Sequence, residues 1–249
     1  KKMLDSIAMN KISLEKLFVI NLPRFLMIGF MFCVLMSMYL YKGGVYHMIS
    51  TDGIPMCPGN NCIDEGHWTE GYLFFKNFLS DLGRTHTHSG QLNFHSSLLF
   101  NMALTLGGIT YILFYIFLKN LFPNKILAKI GSLLGICGAI SFIGVAFTPA
   151  DEFIVPHIMA NESIFRFFFL STIIYSWLMY KSDLIDNKYL IGNVIFILSL
   201  FAYILILAYG PKPYEPGGLE FQAVSQKFIM LNFFLSIVTQ TMAYDKLID

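Results

Sequence analysis

Charge is what this sequence has least of. Only 13% of its 249 residues are Asp, Glu, Lys or Arg, and the balance is a net +1. An ordinary soluble domain carries about twice that share, so a solvated globular surface is excluded. So slight a positive balance also excludes a nucleic-acid face, which needs clustered lysine and arginine. Cysteine is scarce, with four in all, and no histidine follows His157. No serine sits in a nucleophile elbow, although Ser80, Ser89, Ser96 and Ser97 lie near histidines in sequence. The opening KKMLDSIAMNKISLEK lacks the small-residue cleavage pattern of a signal peptide, so it reads as a cytoplasmic lead into a first span. Because the first residue is Lys1, we expect the chain to be trimmed at its start.

What is abundant is apolar: 55% of residues are hydrophobic and 16% aromatic. We therefore expect an all-α, polytopic integral membrane protein. Six apolar stretches are each long enough to cross a hydrocarbon core of roughly 30 Å: about residues 22–41, 94–118, 126–147, 158–180, 189–209 and 222–242. Short polar connections join the last five, so sequence neighbours should pack antiparallel in a single six-helix domain covering residues 1–249. The two halves of the chain do not resemble each other, which counts against an inverted-repeat transporter. Residues 42–93 form a long first outer loop with Gly43, Gly44, Gly53, Pro55, Pro58 and Gly59 as breakers. Within it, Tyr72 to Leu82 is aromatic and amphipathic but too short to span, and is expected as an interfacial helix or as the outer extension of the next span.

Lysine and arginine set the expected orientation. With the N-terminus in the cytoplasm, Lys1, Lys2, Lys11, Lys16, Arg24, Lys119, Lys125, Lys129, Lys181, Lys188 and Lys246 fall inside, against Lys42, Lys76, Arg84 and Lys212 outside. Both termini are then cytoplasmic. Cys57 and Cys62, four residues between them in CPGNNC, fall in the outer loop, where an oxidising compartment favours a disulfide over two free thiols. Cys33 and Cys137 lie inside apolar spans and read as packing residues.

The polar residues of the spans are not spread evenly. Asn93, His95, Asp151, His157, Asn161, Glu162, Arg166, Gln222, Gln226 and Lys227 all fall in the outer halves of helices two, three, four and six or on adjoining turns, beside Asp81 and Arg84. Polar groups at that depth are costly unless partnered, so one polar pocket opening to the outer face is expected. In it, Arg84, Arg166 or Lys227 would hold a phosphate or carboxylate, with Asn93, His95, Asn161, Glu162 and Gln222 as further ligand contacts. Asp81, Asp151 and His157 are the candidates for proton transfer. Glu162 and Arg166, four apart, can equally be a structural ion pair. His86, His88, His95 and His157 could supply a zinc site, but His-x-His in a glycine-bounded loop is more often plain exposed polarity, and no metal is favoured.

These residues carry a resemblance. YKGG at Tyr41 to Gly44, GYLFFKNFLSDLGRT at Gly71 to Thr85, Asn93, SSLLFN, TPADEFIVPH at Thr148 to His157 and FQAVSQK resemble the six-helix membrane proteins of the domain of unknown function 998 family, over nearly the whole chain. More distantly the chain is similar to the Frag/DRAM/Sfk group, some of which are linked to lipid handling. The resemblance implies a fold and a location but no reaction, and His86, His88 and the Cys57/Cys62 pair are not part of the pattern. HWTEGYLFFKNFLSD also loosely resembles the opening of the alkaline ceramidases, whose zinc site needs two histidines four apart in the last helix; none exists after His157.

Three classes of function fit. The first binds or modifies a lipid or small amphiphile in the outer pocket, with bound lipid as the expected ligand and zinc as the weaker alternative. The second is a non-catalytic subunit or assembly factor with membrane-protein partners. The third is a small transporter or a metal-dependent intramembrane hydrolase. One labelling experiment checks the expected topology. On intact cells an impermeant thiol reagent should modify Cys57 and Cys62 only after reduction, and a cysteine placed at Asp183 only after permeabilisation. Labelling of Cys57 and Cys62 without reductant removes the disulfide; labelling at position 183 on intact cells inverts the topology.

Overall fold

The computed structural model describes residues 12–46 and 71–248. The expected Cys57–Cys62 disulfide lies outside the described residues. Six helices are long and apolar enough to cross a membrane: α1 Ile12–Leu40, α2 Phe94–Leu118, α3 Lys125–Phe147, α4 Ile154–Tyr180, α5 Leu190–Tyr209 and α6 Gly218–Ile248. The protein is a multi-pass membrane protein of the all-helical class. Each helix packs against its neighbours in sequence, and α1 meets α6, so the six close into a ring. The chain before α2 closes one end of the ring, the cap end.

Local sequence explains two departures from regular helix. Pro23 has no amide hydrogen to offer the Val19 carbonyl and its ring crowds that oxygen. The chain responds with a single wide turn at Leu17–Asn21, where the Leu22 amide donates to the Leu17 carbonyl. The second departure corrects an expectation: Tyr72 to Leu82 is not an interfacial helix. It consists of turns followed by a five-residue 3-10 helix at Leu79–Gly83. The Asn77 side chain accepts from the Leu73 amide and the Asp81 carboxylate from the Phe78 amide. Both therefore offer the backbone local partners that compete with α-helical hydrogen bonds.

Aromatic side chains fill the ring. Phe233 on α6 packs against Tyr111, Phe142, Phe168 and Phe196 from the four helices α2 to α5. Small residues on α3 make room for them: a Cβ at Gly135 would collide with the Tyr115 ring, and one at Gly138 would press on Phe168. This is the close approach that small residues permit between membrane helices.

The chain leaving α1 turns through Gly43 and Gly44, both at positive φ. Gly44 lies directly against the backbone of His88 and Ser89, and a Cβ there would collide with the Ser89 amide. Gly90, also at positive φ, faces open space. Gly44→Ala should therefore cost about 2–3 kcal/mol from strain plus collision, and Gly90→Ala only about 1 kcal/mol. Thermal unfolding in mild detergent reads the difference, and equal losses for the two variants would contradict the close approach at Gly44.

Candidate functional site

Residues 71–93 form a cap stitched to the ends of several helices by polar side chains. Asp81 is its hub. This carboxylate is 4% exposed, accepts from the Phe78 amide and the Asn77 side chain, and lies 3.0 Å from His88 Nε2. Asn77 also donates to the Gly44 carbonyl, tying the hub to the end of α1. Asn93, fully buried before α2, donates to the carbonyls of Leu82 and Arg84, and the Ser96 hydroxyl donates to Leu82 as well. On α6, Gln226 accepts from the Leu79 amide at 2.6 Å and Lys227 donates to the Asn77 carbonyl at 2.6 Å. The Lys227 ammonium further sits over the rings of Tyr72 and Phe74.

The connection between α3 and α4 joins from the other side. Asp151 accepts from the Thr85 hydroxyl at 2.6 Å, the Thr85 amide and the His86 amide. Burial pushes the Asp151 carboxyl up, but these donors outweigh it and hold the group below the ordinary aspartate range. Burial, reinforced by the Asp81 charge, raises the Tyr41 phenol well above its usual value. His157 is buried with Nδ1 2.6 Å from the Thr148 carbonyl, where it fastens the start of α4 to the end of α3.

Beneath the cap lies an apolar chamber. Leu79 and Ser80 roof it, and Phe142, Phe168, Phe196 and Phe233 close its floor. Leu104, Val145, Leu200 and Met230 are among its walls. It is narrow: about 60 Å³ is wide enough to seat a water-sized group, within about 600 Å³ of space unfilled by atoms that includes its mouth. Three polar groups reach it near the cap, the Ser80 hydroxyl and the carboxamides of Asn161 and Gln226. Ser80 and Asn161 make no side-chain hydrogen bond among the described residues, and Gln226 uses only its oxygen.

The residues expected in one pocket are sorted by this geometry into separate tasks. Asp81 and Asp151 both bond within the cap, the first with Phe78, Asn77 and His88 and the second with Thr85 and His86, while His157 bonds the Thr148 carbonyl. None of the three lines the chamber. Arg84 donates to the His86 carbonyl within its own loop. Gln222 donates to the carbonyls of Ile206 and Pro211, securing the α5–α6 connection. Glu162 and Arg166 pair with each other on the outside of α4, away from the chamber. The physical reason is common to Arg84, Gln222, Glu162 and Arg166: each finds a partner within reach outside the chamber, and few groups are left to converge.

The four described histidines bond or pack against separate partners. His86 contacts Thr85, His88 contacts Asp81, the exposed His95 leans on Phe94, and His157 holds Thr148. Among the described residues no three His, Cys, Asp or Glu side chains form a group able to hold a metal. Sequence reasoning named Asn161 and grouped Gln226 with the outer polar residues, but missed Ser80 as a chamber group and every phenylalanine of the wall. No protein-family model, characterised protein or solved structure matches this chain.

The depressed Asp151 gives a pH-dependent prediction. Its contribution is full above the unfolded value of 3.8 and is lost as pH falls through the lower folded value. Asp151→Asn should lower stability at neutral pH by about 1–2 kcal/mol, toward the lower figure because the group is partly solvated. The gap between wild type and variant should close in acid. Melting curves of both proteins across pH check this, and a gap unchanged down to acid pH would show that the carboxylate charge is not what holds Thr85 and His86.

Proposed function

We propose that this chain is a six-helix membrane protein of the kind its motifs resemble, the domain of unknown function 998 family, and that it binds a neutral amphiphile in the capped chamber. The carrying observation is the combination of an apolar, aromatic-walled cavity with hydrogen-bonding groups left unused at one end of it. That is the chemistry of a site for a molecule with an apolar body and a hydroxyl, carbonyl or amide head. Ser80, Asn161 and the amide nitrogen of Gln226 would hold the head, and the phenylalanine walls would cover the first carbons of the tail.

Charge supports a neutral head over a phosphate. Lys227 is committed to the Asn77 carbonyl, Arg84 donates to His86, and Arg166 lies on the outside of α4 away from the chamber. No lysine or arginine lines the chamber. The aromatic floor weighs against a transport route, since four rings stand between the chamber and the far half of the bundle. With the orientation expected from the lysine and arginine distribution, the cap faces the exterior and the ligand comes from the outer leaflet. Membrane lipid is then both solvent and source.

Protein purified in mild detergent, extracted and analysed by mass spectrometry, should carry an uncharged amphiphile. Leu104→Trp, which fills the chamber from α2, should lose it while keeping the wild-type melting behaviour. Asn161→Ala should weaken retention about tenfold, as the loss of one hydrogen bond of roughly 1.4 kcal/mol implies. The same molecules at the same occupancy in wild type, Leu104→Trp and Asn161→Ala would place them on the outside of the bundle and end the proposal.

A further inference from the structure

We infer that the outward face of α4 carrying Glu162 and Arg166 is the surface on which a second copy of this chain docks. Arg166 Nη2 donates to Glu162 Oε2 at 2.6 Å, yet the arginine side chain is 62% exposed and the glutamate 32%. Arg166 lies one residue from the midpoint of the 27-residue helix Ile154–Tyr180. At 1.5 Å per residue that is about 18 Å from the cap end of the helix, farther than an arginine side chain can reach to a headgroup.

Lipid is a poor solvent for such a pair. A charge at the centre of a bilayer costs about 2.5–3.5 kcal/mol on insertion scales, and charges within spans turn toward protein or water for that reason. The other charged side chains at depth in this bundle obey the rule. Lys227 is buried against the cap, and Arg24 donates to Thr241 across the α1–α6 contact. Arg166 alone among the described span residues holds its guanidinium outward at mid-depth, with one hydrogen bond to Glu162 and its remaining donors unmatched.

The surroundings fit a helix of the same kind. Met159, Leu170, Ile173 and Trp177 are exposed on this face with Glu162 and Arg166 between them. Successive members of the row 159, 162, 166, 170, 173 and 177 are three or four residues apart, the spacing of a helix-packing seam. A polar interruption of such a seam fixes register and partner.

Charge complementarity selects a second copy as the occupant. The face carries both signs one turn apart, so it is complementary to itself. Two copies inserted in the same direction are related by a two-fold axis along the membrane normal, which sets α4 parallel to its counterpart at equal depth. Helical side chains lean toward the N-terminus. Arg166 of one copy therefore leans toward the level of Glu162 in the other, where its unused donors find a second carboxylate. This inference does not depend on the chamber or its ligand.

Single-molecule photobleaching of the full chain in nanodiscs formed from native membranes tests it. Wild type should be mainly two-step. Glu162→Arg and Arg166→Glu should each lower the association constant at least about tenfold, and the double swap should restore it. Independently of any charge change, Met159→Cys on the seam should crosslink copy to copy under mild oxidant, whereas Ile195→Cys on the exposed face of α5 should not. One-step bleaching of wild type, indifference to both single swaps, or crosslinking of Met159→Cys only to another protein would each overturn the proposal.

Discussion

The carboxylate of Asp81 sits in a cap whose backbone has little regular secondary structure beyond the short 3-10 helix Leu79–Gly83, at the edge of a bundle that offers little water. An irregular segment there must find a partner for every amide and carbonyl, because each one left unpaired costs kilocalories in an apolar setting. Asp81 takes the Phe78 amide and the Asn77 carboxamide on one oxygen and meets His88 on the other. Asn77 extends the same network to Gly44 and, through its carbonyl, to Lys227. The end of α1, the loop before α2 and α6 are thereby held together by one side chain and its immediate partners.

That arrangement determines what the site beneath can be. The charges of the cap end are spent on the cap, so the chamber is left with neutral polar groups and aromatic walls. Asp81, Lys227 and Asp151 all find hydrogen-bond partners in the cap's own backbone and side chains. A neutral head with an apolar tail is what the leftover chemistry suits, and the phenylalanine floor keeps that chemistry in one half of the bundle. Gly135 and Gly138 matter here too, because without their missing side chains the rings of Tyr115 and Phe168 could not pack as closely against α3.

How much of this was legible in the sequence follows from the kind of signal each feature leaves. The six spans were readable because hydropathy over some twenty residues is a strong, additive signal. Only their ends shift: α4 begins at Ile154 rather than about residue 158, and α6 runs from Gly218 to Ile248 rather than about 222–242. Tyr72 to Leu82 was misread because its aromatic spacing suits a helix, while the outcome is decided by two local side chain to backbone bonds at Asn77 and Asp81. Residue type does not reveal whether a carboxylate faces a ligand or a neighbouring amide. Asp151, a candidate for proton transfer by residue type, accepts from Thr85, and His157, another, lies against the Thr148 carbonyl.

Helix α4 shows why face, unlike depth, stays hidden in such a chain. Its inward row, His157, Ile164, Phe168 and Tyr175, is buried, and Asn161 reaches the chamber beside it. Phe165 and Phe169 turn to α5, where they meet Tyr203 and Phe201. Met159, Leu170 and Trp177 look outward. In a soluble helix polarity would separate these faces, but here lipid and core are equally apolar and the periodic contrast vanishes. Only polar residues then report direction, and Asn161 and Glu162, adjacent in sequence and about 100° apart around the helix, report two different ones. The first faces a chamber that water-free packing alone does not explain, and the second faces a surface that lipid alone does not satisfy.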